Sequence, residues 1–167
     1  MKKIIIMAMM AIMPFGVFAQ KFGHLNSADI IPLMSEYKSA QTELEELQKQ
    51  YREELNYMET EYNKKLDVYD KNRETFSDEI RQRREQELIE SQQKMQQYYQ
   101  DCQMNLEQKS NELMNGINTK LQKAIQSVGE DGAYICIFDI SGGLIPFVSS
   151  TLTTDVTEAI KAKLGIK

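Results

Sequence analysis

The sequence predicts an α+β chain that is mostly α: a long antiparallel helical hairpin, a coiled-coil arm, on a small β body that oligomerisation completes. Three observations lead there. From Ala40 to Val128 there is no Pro and a single Gly, Gly116. Within that run Leu44, Leu47, Tyr51, Leu55, Met58, Tyr62, Leu66 and Tyr69 are spaced 3, 4, 4, 3, 4, 4 and 3. This eleven-residue period, about 3.67 residues per turn, keeps an apolar stripe on one side of a nearly straight helix. Finally, strand-like segments stand at both ends of the chain, with the whole helical run between them.

Taken in order, the first segment is an export signal. Lys2 and Lys3 precede an apolar run from Ile4 to Phe18, and Val17-Phe18-Ala19 forms a small-x-small cleavage site before Gln20. The run is shorter than the ~20 residues that a membrane span requires, and Pro14 and Gly16 interrupt it. Residues 1–19 are thus expected to be a signal peptide, leaving a soluble protein in an exported compartment. Loss of Lys2 and Lys3 takes the formal net charge from -5 to -7. An acidic chain excludes a nucleic-acid partner, since phosphate binding relies on clustered Lys and Arg. The one basic cluster, Arg81-Gln-Arg83-Arg84, reads first as a solvated helix face and second as an anion or membrane-surface contact.

KFGHLN, Lys21 to Asn26, reads as a strand, and Ser27 or Asp29 can cap a helix after it. Pro32 fits only in a first turn, after which helix is expected to continue through Glu36–Ala40 into the stripe without a full stop. One helix over the whole run would be ~130 Å long and would need a partner along its length. A hairpin supplies that partner internally. The stripe is weakest from Asp70 to Asp78, where Ser77 can cap a second helix with Asp78 and Glu79 in its first turn. The second arm then carries Ile80, Leu88, Met95, Tyr99, Cys102, Leu106, Leu113, Ile117, Leu121, Ala124 and Val128. The frame also runs on past the turn to Leu88 and Tyr99 without a phase slip, as a continuous helix would give. Its interruption by Arg73, Ser77 and Arg84 favours the hairpin.

Gly129-Glu-Asp-Gly132 should end the second arm by the usual glycine route. Ala133–Ile140 and Leu144–Val148 read as two strands joined by Ser141-Gly142-Gly143, with Pro146 confining the second to an edge or bulge. Thr154 or Asp155 caps a last helix, with Glu158 placed for a capping box and Gly165 at its end. The expected division is residues 20–28 and 129–167 for the β body with its C-terminal helix, where copies of the chain join, and 29–128 for the arm, turning near 72–78. Three strands and one small helix bury little apolar area, so copies of the chain should complete the sheet.

With those segments in order, the mature chain resembles the Skp/OmpH family of periplasmic chaperones. The resemblance rests on KFGHLNSADIIPLMSEYKSAQTELEEL, FSDEIRQRREQELIE and YICIFDISGGLIPFVSSTLTTDVTEAIKAKLG. It implies a homotrimer whose strands form a β body and whose three hairpin arms surround a cavity. In that cavity family members hold unfolded outer-membrane β-barrel proteins without ATP. The chain departs from the strongly basic members in its charge, so no lipopolysaccharide site is carried over.

Holding an unfolded chain reversibly needs exposed, adaptable apolar groups, and Met and Tyr suit that task. Apolar residues off the stripe are the candidates for client binding: Tyr57, Val68, Ile89, Tyr98, Met104 and Met114, together with Phe76 at the tip. Phe76 either caps the end of the hairpin core or touches clients and membrane. Each of the others also reads as packing at the margin of a wide stripe or as an isolated surface group. Chemistry is hard to find: there is no HExxH, phosphate loop or GxSxG, so no catalytic, cofactor or metal residue is assigned and an enzyme is not expected. His24, the only His, reads as structural. Cys102 lies ~39 Å along the helix from its end near Val128, too far to reach Cys136 in a strand beyond it, since bridged Cα atoms approach within about 7 Å. Two buried, unpaired thiols are expected. The function the family resemblance implies is an ATP-independent periplasmic holdase for unfolded outer-membrane proteins; the alternative is a periplasmic coiled-coil scaffold without unfolded clients.

Overall fold

The structure, a computed structural model, describes residues 20–166; the expected signal peptide lies outside the described residues. The element order is β1 (Phe22–Leu25), two short 3-10 turns (Ser27–Asp29 and Ile31–Leu33), α1 (Ser35–Asn72), α2 (Asp78–Asp131), β2 (Cys136–Asp139), β3 (Thr153–Asp155) and α3 (Thr157–Lys163).

Two polar, lightly amphipathic helices form the arm. Their lengths, 38 and 54 residues, correspond to about 57 and 81 Å at 1.5 Å per residue. They run antiparallel, because cross-arm partners fall in number along α2 as they rise along α1. Glu36 pairs with Lys120, Glu43 with Lys109 at 2.8 Å, Tyr51 with Tyr98, Lys65 with Ser91 at 3.0 Å and Tyr69 with Glu85. The turn spans Arg73 to Ser77. Ser77 caps α2: its side chain accepts from Ile80 N, and Asp78 and Glu79 occupy the first turn.

The arms are unequal, and α1, against expectation, begins after a full stop. Pro32 belongs to a separate 3-10 turn, and Met34 is extended (φ -65, ψ 136) before helix starts at Ser35. The first turn is capped by Asn26, whose side chain accepts from Ala28 N, rather than by Ser27 or Asp29. The excess of α2 over α1 enters the body. There Leu121, Ala124 and Val128 pack with Leu25, Ile30, Val156 and Ile160, while Met34, Ala40 and Ile117 form a second cluster where the arms leave it.

The sheet differs from the expected strand hairpin. Its order is β2-β1-β3, and both pairings are parallel. Leu144–Val148 is not a strand in this chain; the third strand is Thr153–Asp155. Since β2 and β3 both run with β1, the chain must return to its starting end between them, and the Ile140–Leu152 segment is the return. Pro146 lacks the N–H a strand would contribute. Its neighbours also lie outside the core, Leu144 being 91% and Phe147 80% exposed.

The end of α2 is a second correction. The Ala133 N–H donates to Glu130 O and the Tyr134 N–H to Gly129 O, the paired bonds of a Schellman close. The left-handed position is held by Ala133 (φ 50), not by a glycine. Gly132 has a different reason to be small: a Cβ there would collide with the Tyr134 ring. At the end of α3 the same bonds recur, Gly165 to Ala162 O and Ile166 to Lys161 O, with Gly165 at φ 73. At the start of α3, Asp155 Oδ1 accepts from Thr157 N at 2.9 Å. Glu158 pairs with Lys161 instead of closing a capping box.

Candidate functional site

Helical phase decides which arm residues face outward. Tyr57 and Val68 on α1 and Ile89 and Met104 on α2 are exposed, Tyr57 by 62% and Met104 by 60%. Tyr57 and Val68 are eleven residues apart, so an eleven-residue repeat puts them on the same side of α1. Between them the groove dividing the arms opens into two adjoining shallow clefts. Tyr57, Met58 and Lys94 line one, and Val68, Arg84 and Leu88 the other, with Glu61 and Lys65 shared. Apolar groups there are set among ion pairs, Lys64 to Glu61 at 2.7 Å and Arg84 to Glu87 at 2.6 Å.

Two expected residues turn inward. Tyr98 is half-buried, its ring meeting Tyr51 edge-on at 6.1 Å. Burial and its hydrogen bond with the buried Cys102 thiol push its phenol up to about 12. Its neighbour Tyr99, assigned to the stripe, is the exposed one. The paired arm lies off the side that the extrapolated frame marked, by one residue at this level. Met114 packs on the Met34, Ala40 and Ile117 cluster. Phe76 is half-buried at the tip.

The most exposed large apolar groups among the described residues lie in the body and were not singled out from sequence. Leu144, Phe147 and Leu152, the last 79% exposed, line the return segment, and Ile135 is exposed beside β2. For Leu144 and Phe147 the signal was present in LIPFV, but reading that segment as a strand assigned its side chains to a sheet. One face of the sheet is closed: Ile137, Tyr134 and Val156 crowd the position a Cβ would take on Gly23. Alternation puts Phe22, His24, Cys136 and Phe138 on the other face. There Phe22 and Phe138 stack at 6.2 Å, and all four are half-buried.

This architecture, long paired arms on a small parallel sheet, has relatives. The profile of the family described as outer membrane protein (OmpH-like) matches residues 21–164. The chain belongs to the OmpH-like family. Among solved structures, that of a Caulobacter crescentus protein described as an OmpH-like outer membrane chaperone is similar at a TM-score of 0.73 and 17% identity. The match covers 86% of this chain and 82% of that one, and at this identity it speaks to the fold. No curated protein sequence matches.

Polar groups in this OmpH-like body have structural partners. Thr153 donates its hydroxyl to Ser149 O at 2.6 Å, so His24 Nδ1, 2.9 Å from Thr153 Oγ1, carries the proton that joins them. Asp139 Oδ1 accepts from Ser27 N at 3.2 Å and Ser141 N at 3.0 Å. Burial works against its charge, but these bonds outweigh it and hold the carboxyl below the usual range. Cys102 and Cys136 are free thiols, the first buried and the second, against expectation, half-exposed. Among the described residues no three His, Cys, Asp or Glu side chains are grouped as metal ligands would be, and no helix is long and apolar enough to cross a membrane.

Proposed function

We propose that this OmpH-like protein is exported, loses residues 1–19, and acts in the periplasm as an ATP-independent holdase for unfolded outer-membrane β-barrel proteins. Three copies join through their β bodies, and their arms enclose the client. The observation that carries the reading is the arm itself. Paired helices about 57 Å long over their shared length expose isolated Tyr, Met, Val and Ile side chains among ion pairs. Such a surface offers many weak contacts and no one deep pocket, which suits a partner without fixed shape. Family membership supports the same reading, as does the chaperone description of the Caulobacter crescentus relative.

Tyr57, Val68, Ile89 and Met104 are the principal contacts, with Tyr99 added and Phe76 at the tip. Because the mature chain is acidic, apolar and hydrogen-bonding contacts outweigh electrostatic steering. The trimer is supported by Leu144, Phe147 and Leu152 on the body, apolar groups that the described residues leave uncovered. The test is dilution of a urea-unfolded β-barrel protein into buffer containing the mature protein. Aggregation should be suppressed at about one trimer per client, with little loss at raised salt. No suppression over a range of ratios and salts overturns the reading. Crosslinking in cells should capture many precursor proteins; recovery of a single partner would favour the scaffold alternative.

A further inference from the structure

We propose that Gln20 is a modification site: as the first residue of the exported chain it closes on itself to form pyroglutamate. This rests on the export reading above, in which cleavage after Ala19 gives Gln20 a free α-amine. The structure places the boundary of the folded body one residue further on. The Lys21 carbonyl accepts from Ile135 N at 2.8 Å, and Lys21 Nζ donates to Gly132 O at 3.2 Å while standing 4.0 Å from the centre of the Tyr134 ring. Gln20 is exposed and makes no hydrogen bond among the described residues. The chain is therefore pinned up to Lys21 and leaves free the one residue whose two ends must meet.

The reaction needs nothing beyond that residue. The uncharged α-amine attacks the side-chain carboxamide carbon, Cδ, and a five-membered lactam forms. The Cδ–Nε2 bond breaks, and Nε2 leaves as ammonia, taking the proton the amine gives up. No electrons are gained or lost. An α-amine titrates near 7.7–8.0, so a useful fraction of it is uncharged at neutral pH. The Gln20–Lys21 peptide bond is untouched, and with it the contacts of Lys21. The product has lost the terminal positive charge, as an acetylated terminus does, and presents no amine to an aminopeptidase acting in the exported compartment.

The test is intact-mass and N-terminal peptide mass spectrometry of the full-length chain, expressed with its own leader and recovered from the exported fraction. The expected product begins at residue 20, is lighter than the open chain by one ammonia, and resists an aminopeptidase. The Q20A variant should be processed at the same bond, keep its full mass and be trimmed. A chain beginning at Gln20 with an open amine overturns the modification and leaves export standing. A chain in that fraction that begins elsewhere overturns cleavage after Ala19 and the modification with it, whereas a chain that keeps residues 1–19 and stays out of that fraction overturns export itself, and the mass distinguishes these failures.

Discussion

Two helices of this protein close with the same pair of hydrogen bonds, yet one places glycine and the other alanine in the left-handed position. Gly165 adopts φ 73 without cost, whereas Ala133 holds φ 50 with a Cβ against the following carbonyl. Ala133→Gly should therefore stabilise the fold by about 1 kcal/mol, the strain relieved exceeding the entropy that glycine adds to the unfolded chain. A shift of the denaturation midpoint to higher urea would show it; an unchanged or lower midpoint would mean the strain is absorbed elsewhere. The second residue of interest is Asp139, whose carboxyl is held below its usual range by Ser27 and Ser141 in spite of burial. A depressed folded value gives stability that is present above the unfolded value of about 3.9 and is lost as pH falls through the folded value. The D139N variant lacks that component. The stability gap between native protein and D139N should be widest near neutral pH and should close below about pH 4, as measured by urea denaturation across the range.

At the scale of elements, the arm was legible throughout and the body only in part: β1, β2 and the last helix stand where the sequence placed them, whereas the third strand does not. A long regular stripe repeats its message at every turn of helix, so a frame error at one residue leaves the element intact. That error is visible where Tyr98 and Tyr99 exchange roles. The Ser77 cap is equally local, a side chain and amides three residues on. The β body gives no such redundancy. AYICIFDI marked β2 correctly, but nothing local in LIPFV separates a strand from an apolar segment lying outside the core of its own chain. Nor does local sequence say that β2 and β3 both pair with β1 in parallel. The exposure of the proposed client contacts was partly legible for the same reason: Tyr57, Val68, Ile89 and Met104 follow helix phase and stand exposed, while Met114 is covered by a cluster the body creates. Gly116 shows where an element can be altered without touching that packing. It lies inside α2, and apart from the helix's own adjacent backbone nothing described stands within 4 Å of the position a Cβ would take. Gly116→Ala should add about 1 kcal/mol through helix propensity alone, seen as a raised denaturation midpoint with unchanged native circular dichroism. A lower midpoint would mean that the arm bends at this level in solution and needs the glycine.

For the whole molecule the decisive quantity is how many copies meet, and the body supplies the lever. Three strands of three or four residues with one two-turn helix make a small core, while Leu144, Phe147 and Leu152 stand almost fully exposed. A stable interface between copies buries on the order of 1,200–2,000 Å² in total, so apolar groups of this size at its centre would dominate its energy. Replacing Leu144 and Phe147 together by Ser removes that contribution and touches no residue of the described clusters. The mature protein should sediment as a trimer, and the double variant should dissociate at micromolar concentration while keeping its helical circular dichroism. Because the arms survive in the monomer, its suppression of β-barrel aggregation should weaken far more than its fold does. A variant that stays trimeric would remove this segment from the interface. A dissociated variant with undiminished activity would show that a single arm suffices and that no enclosed cavity is needed.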